Sequence, residues 1–154
     1  MIRLLPARAA DFDNLVAGRA PAGLSLPPGG LAESRAVLRA LAGLGAGPDM
    51  GQFLIERQGM LAGLCGVKGP VADGAVEIGY GVAEAMRRQG VATSAVGLLL
   101  AAIARWRQAE TVLALTDPAN LASQRVLQRN GFSRVGDRAD PERPLLVWQR
   151  PVQF

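Results

Sequence analysis

Arg87-Arg88-Gln89-Gly90-Val91-Ala92-Thr93 is the stretch on which the reading of this chain turns. It follows an apolar, strand-like run from Ala75 to Val82 and opens a long amphipathic segment, Gly90 to Arg107. In that segment Val91, Ala95, Leu98, Leu99, Ala102, Ile103 and Trp106 recur at a period of about 3.6, which predicts a helix. A turn of small residues at a helix start presents backbone N–H groups with no carbonyl one turn back. These groups stand at the positive end of the helix dipole. Such a turn suits an anion, and a pyrophosphate best. Arg87 and Arg88 add side-chain charge at the same place.

Two common nucleotide fingerprints are missing. A dinucleotide-binding turn needs Gly-x-Gly-x-x-Gly and an acidic residue about 20 positions on. Here Gly90 is followed by Ala92, and no carboxylate occurs until Glu110. A phosphate loop needs Gly-Lys-Ser/Thr, and the only lysine is Lys68. Arg87, Gly90 and Ala92 instead carry Arg/Gln-x-x-Gly-x-Gly/Ala. This resembles the coenzyme A pyrophosphate motif of the GNAT superfamily of acyl-CoA-dependent N-acyltransferases. Downstream, Asp117 to Phe132 contains Asn120-x-x-Ser123, then Val126-Leu127, then Gly131-Phe132. That second pattern is similar to the branch containing ribosomal-protein N-terminal acetyltransferases.

The composition fits a single domain over residues 1–154. A chain of 154 residues with 49% hydrophobic content can bury a sizeable core. The longest nearly apolar run, Val91 to Ala104, is too short to span a bilayer, and Met1-Ile2-Arg3-Leu4 lacks the apolar core of a secretory signal. One cysteine excludes an internal disulfide and points to a reducing cytoplasm. Cys65 lies in an apolar run, as a buried inert thiol would. With no histidine, His-based triads, bases and metal sites are excluded, and no metal is expected. The net charge of +4 comes almost wholly from arginine. The arginines are spread out and aromatics are only 5%, which favours a solvated basic surface over a nucleic-acid groove.

Along the chain, Ile2 to Leu5 reads as a strand, and Ala7 to Gly18 as a helix with Phe12, Leu15 and Val16 on one face. Gly18 to Gly30 is a Pro/Gly-rich loop. Leu31 to Leu44 reads as a second helix with Leu31, Ala32, Val37, Leu38, Leu41 and Leu44 inward. Gln52 to Arg57 and Met60 to Val67 read as strands joined at Gln58-Gly59. A turn at Gly69-Pro70 then leads to a strand from Gly74 to Val82. After the long helix come a strand from Thr111 to Leu115 and a helix from Asn120 to Arg129, with Asn120 as N-cap and Asn130-Gly131 as a left-handed stop. A hairpin of Phe132 to Val135 and Leu145 to Gln149 closes the chain around a polar loop, Asp137 to Pro144. The order β-α-α-β-β-β-α-β-α-β-β predicts an α/β (α+β) mixed sheet covered by helices. It is also the order of the GNAT fold.

The resemblance implies an acetyl-CoA-dependent N-acetyltransferase in which an amine attacks the acetyl thioester directly in a ternary complex. Arg87, Arg88, Gln89, Gly90, Val91, Ala92 and Thr93 would hold the cofactor's diphosphate. Backbone N–H groups near Tyr80, Gly81 and Val82 would polarise the thioester carbonyl, the two glycines permitting a bulge and close approach. Glu77 is the candidate base, directly or through water. Equally it could be a solvated strand residue, with Val76, Ile78 and Tyr80 inward and Glu77, Gly79 and Gly81 outward. Asn120 would contact the pantetheine or phosphate region, or merely cap its helix. Ser123, one turn on, would contact the departing sulfur, or satisfy the backbone. The family's usual tyrosine on the last helix has no counterpart, because Tyr80 is the only tyrosine.

Two departures stand out. Gly81 takes the place where close relatives carry a tryptophan, leaving the acceptor side more open, and Arg88 stands where a small residue is frequent. Asp140 and Glu142 could draw a cationic amine or be ordinary loop charges. The acceptor, a small-molecule amine or a peptide N-terminus, stays open, and a homodimer is compatible with the resemblance. Two competing readings are a catalytically silent coenzyme A-binding sensor and a basic nucleic-acid-associated module.

Overall fold

A computed structural model describes residues 1–21, 23–43 and 51–154. The elements are β1 (Ile2–Pro6), α1 (Ala9–Val16), α2 (Arg35–Gly43), β2 (Gln52–Arg57), β3 (Met60–Ala72), β4 (Ala75–Val82), α3 (Val91–Trp106), β5 (Thr111–Thr116), α4 (Leu121–Arg129), β6 (Ser133–Arg138) and β7 (Leu145–Pro151). This is the expected order. The strands form a seven-stranded mixed sheet in the order β1-β2-β3-β4-β5-β7-β6. The β4–β5 pair is parallel, as a crossover through α3 permits. No helix among the described residues is long and apolar enough to cross a membrane.

The chain divides into two compact units. The first comprises Met1–Gly66 and Tyr80–Ala95. In it β1 and β3 flank β2 in antiparallel register, and Ala7, Phe12, Leu15, Leu38, Leu54, Leu61 and Leu64 form a buried cluster. The long loop before α2 is pinned to the β2–β3 turn: Ser25 N–H donates to Gly59 C=O at 2.9 Å, and Leu61 N–H donates to Ser25 C=O at 2.8 Å. Glu56, buried on β2, receives Arg3 Nε at 2.6 Å and the Gly59 N–H at 2.9 Å. Those two donors, Arg3 first, hold its carboxyl below the usual range.

The second unit comprises Val67–Gly79 and Val96–Phe154. Here β7 lies between β5 and β6, antiparallel to both. Leu99, Ile103, Val112, Ala114, Leu127 and Trp148 are buried, and Trp148 Nε1 donates to Thr116 Oγ1 at 2.9 Å. All six residues of β6 are exposed, and its pairing with β7 shifts register between Arg134 and Gly136.

Four expectations need correction, each for a local reason. First, α2 starts at Arg35 rather than Leu31 because Ser34 caps it: Ser34 Oγ accepts the Val37 N–H at 3.3 Å. Leu44, the expected end, lies outside the described residues. Second, Val37 and Leu98 are 46% and 41% exposed rather than inward. Each precedes the leucine at the centre of its helix face, Leu38 or Leu99, and one residue turns the helix by about 100°. Third, β3 runs through Gly69-Pro70, and the turn into β4 falls at Asp73 and Gly74, with φ of 52° and 75°. Such a turn needs two consecutive positive φ values, which proline, fixed near −65°, cannot supply. Fourth, β6 extends to Arg138, so Asp137 belongs to the strand and the polar loop begins after it.

β3 and β4 pass close to each other at two glycines of the first unit, Gly63 and Gly81. A Cβ on Gly63 would collide with the carbonyl oxygen of Gly81 and press on Val82 Cα, both backbone atoms. Gly63→Ala is therefore expected to destabilise by about 2 kcal/mol, lowering Tm by roughly 4–8 °C in a thermal melt.

Candidate functional site

The expected anion cradle lies wholly in the first unit. β4 stops at Val82, Ala83 N–H donates back to Ala62 C=O at 2.8 Å, and one 3-10 turn spans Glu84–Met86. The chain then passes through Arg88 at φ 63° and Gly90 at φ 76° before α3 begins. The left-handed geometry at Arg88 explains why a small residue suits that position better. The first helical bond runs from Ser94 N–H to Gly90 C=O at 3.1 Å, so the amides of Val91 and Ala92 precede the helix's own acceptors. No acidic residue occupies the first turn of α3, and the space on the Cβ side of Gly90 is open. Val91, 2% exposed, anchors the turn to the core. These features suit a bound diphosphate.

Side chains reinforce the turn. Arg87 Nε donates to Val82 C=O at 3.2 Å, tying the turn to the end of β4. Gln89 Nε2 donates to Ala85 C=O at 3.4 Å, and Gln89 Oε1 accepts from Arg57 Nη1. Arg57, the last residue of β2, brings a further cation to the cradle. Its separation from Gln89 in sequence gave no signal.

Gly81 and its neighbours show a second unexpected partner. Tyr80 is half-buried rather than fully inward, while Val82 is buried. A Cβ on Gly81 would run into Glu33 Oε1, with Ala32 Cβ behind it. The room left by the missing large side chain is therefore filled by a carboxyl from the segment before α2. Glu33 Oε2 is buried with no hydrogen-bond partner among the described residues. Burial pushes this carboxyl above its ordinary range, against the opposing pull of its own backbone N–H and the Arg87 charge. Sequence reading missed Glu33; an acid within an otherwise apolar run, just before a serine cap, was the available signal.

The remaining candidates lie in the second unit. Along β4, Val76 and Ile78 are buried while Glu77 is partly exposed, the alternation expected of a strand. The Glu77 carboxylate sits 3.5 Å from Lys68 Nζ and 3.7 Å from Arg138 Nη1. Asn120 caps α4, its Oδ1 accepting the Ser123 N–H at 3.1 Å, which brings Asn120 and Ser123 together. Asp140 accepts the Glu142 N–H at 2.9 Å, the geometry of an ordinary turn. Cys65 is buried, and burial raises its thiol to about 12, as an inert thiol requires. A crevice of about 230 Å³ lined by Gly97, Leu100, Ala104, Arg150 and Gln153 contains none of the expected site residues.

The sequence matches the family model described as "Acetyltransferase (GNAT) domain" over residues 2–133. No curated protein matches the chain in sequence. Among solved structures, the chain is similar to a GNAT-family acetyltransferase from Bordetella pertussis, at 24% identity and a TM-score of 0.69, covering 97% of this chain and 95% of that one. It is similar to the RimL ribosomal L7/L12 alpha-N-protein acetyltransferase solved with coenzyme A, at 18% identity and a TM-score of 0.74, covering 98% and 94%. It is also similar to aminoglycoside acetyltransferase AAC(6')-Ib solved with coenzyme A, at 14% identity and a TM-score of 0.71, covering 98% and 95%. At these identities the likeness is one of fold.

The raised Glu33 carboxyl has a stability consequence of definite sign. The folded chain holds this proton at pH values where the unfolded chain has released it. Stability therefore falls as pH rises from the ordinary carboxylate range through the raised folded value. Glu33→Gln removes that fall. In urea titrations from about pH 4 to neutrality, the variant is expected to gain stability relative to the parent as pH rises, with little difference at the acid end.

Proposed function

This chain belongs to the acetyltransferase (GNAT) domain family, and on that premise we propose that it transfers an acetyl group from acetyl-CoA to a primary amine by direct attack. The observation carrying this reading is the start of α3. It combines a left-handed Gly90 with open space beside it, helix amides ahead of their own acceptors, and an acid-free first turn. Arg57, Arg87 and Arg88 supply positive charge there. Acetyl-CoA supplies the activated acyl group, and its diphosphate is the anion this turn suits.

Each remaining role belongs to a residue of the chain. An α-amino group has a pKa of about 8 and a lysine amine about 10.4, so the acceptor must lose a proton before it attacks near neutrality. Glu77 takes that proton, directly or through one water. As the new C–N bond forms, backbone N–H groups at Tyr80 to Val82 stabilise charge on the carbonyl oxygen. As the C–S bond breaks, the Ser123 hydroxyl hydrogen-bonds the departing sulfur. A thiol with a pKa of about 8.5 can leave with no stronger acid. Asn120 holds the pantetheine arm with the side-chain N–H₂ that its capping Oδ1 leaves over. The acceptor is a small-molecule amine or a peptide N-terminus.

Two variants test this reading. Ala92→Asp places a carboxylate at the helix start, where it should leave stability unchanged or raise it by about 0.5 kcal/mol. The same charge should weaken acetyl-CoA binding at least about tenfold in calorimetry. Unchanged affinity would remove the cradle from the mechanism. Glu77→Gln should lower kcat about a hundredfold in a thiol-release assay over an amine panel, with acetyl-CoA affinity held. Equal turnover across the pH range would reassign Glu77 to a structural ion pair.

A further inference from the structure

We propose that Glu33 is the acceptor-side anchor of this enzyme, a carboxylate whose second oxygen receives an N–H group of the incoming primary amine. The inference rests on the acetyl-transfer reading and adds a residue to it.

Three observations converge. Glu33 Oε1 fills the space beside Gly81 that any side chain there would take. The carboxyl therefore stands against the stretch of β4 whose amides are assigned to the thioester carbonyl. Its second oxygen, Oε2, is buried and has no hydrogen-bond partner among the described residues. A carboxylate oxygen only accepts hydrogen bonds, and leaving one buried and unpaired is costly. Finally, the nearby cation does not close the gap. Arg87 acts on Glu33 through its charge, while its Nε is spent on Val82 C=O.

The group that completes such a site is a compact donor carrying positive charge. A primary ammonium has three N–H donors on one small atom, and it can bond Oε2 while keeping others for water. Gly81 is then part of the acceptor site through what it lacks. A side chain at that position would displace the carboxylate without meeting backbone.

The test uses the full-length protein saturated with coenzyme A, with n-butylammonium as the probe and n-butanol as its uncharged counterpart. NMR titration of the parent should give saturable n-butylammonium binding that n-butanol does not reproduce. Glu33→Gln should weaken that binding at least about tenfold, the loss of one charge-assisted hydrogen bond. Gly81→Ala, which pushes the carboxyl aside, should weaken it comparably, and Glu33→Asp should restore part of it. Acetyl-CoA affinity is measured in parallel on the parent and the two Glu33 variants and should stay within about twofold, reporting an intact fold. Equal n-butylammonium affinity in the parent and Glu33→Gln, or no saturable binding in the parent, overturns this inference alone when acetyl-CoA still binds. Failure of acetyl-CoA to bind the parent overturns the acetyl-transfer reading and this inference with it.

Discussion

The start of α3 can meet an anion only because the chain breaks its hydrogen-bonding pattern cleanly between β4 and the helix. β4 ends at Val82, one 3-10 turn follows, and two left-handed residues, Arg88 and Gly90, reverse the backbone. Val91 then locks the first turn into the core. If the helix began a turn earlier, its own carbonyls would satisfy the amides of Val91 and Ala92. The offset between strand end and helix start thus leaves those amides ahead of any helical acceptor. Arg87 holds that offset by bonding the last carbonyl of β4.

Much of this was legible in the sequence because it is local. The 3.6 period of Val91 to Trp106, the Asn120 cap and the Asn130-Gly131 stop each depend on residues within a turn or two of one another. The element order followed from such signals, and the family followed from two short patterns in the right order. The misses share a different cause. Asp73-Gly74 was passed over for Gly69-Pro70 because both look like turns, and only the dihedral demand of a tight hairpin separates them. Val37 and Leu98 are apolar residues at the margin of a helix face, which hydrophobicity alone cannot distinguish from its centre.

The site was legible only along the strand and helix that carry its motifs. Partners that arrive from elsewhere in the chain were not. Arg57 reaches Gln89 and Glu33 reaches Gly81 through tertiary packing, and neither pairing leaves a trace in residue spacing. Glu33 and Gly81 show why the absence of a side chain can be as informative as its presence. The glycine at 81 reads in sequence as an open wall, whereas in the folded protein it is a seat for an acid. Glu77, by contrast, keeps both faces of its reading: the alternation of β4 turns it away from the core, and two cations meet it there.

The terminal strand β6 sets a limit on how this protein associates. It lies at one margin of the sheet, every residue is exposed, its pairing slips between Arg134 and Gly136, and it carries Arg134, Asp137 and Arg138. An irregular, charged border offers a poor template for further strands, because an incoming chain would have to match a broken ladder and bury charge against it. Fibril-like growth and sheet extension from this side are thereby discouraged.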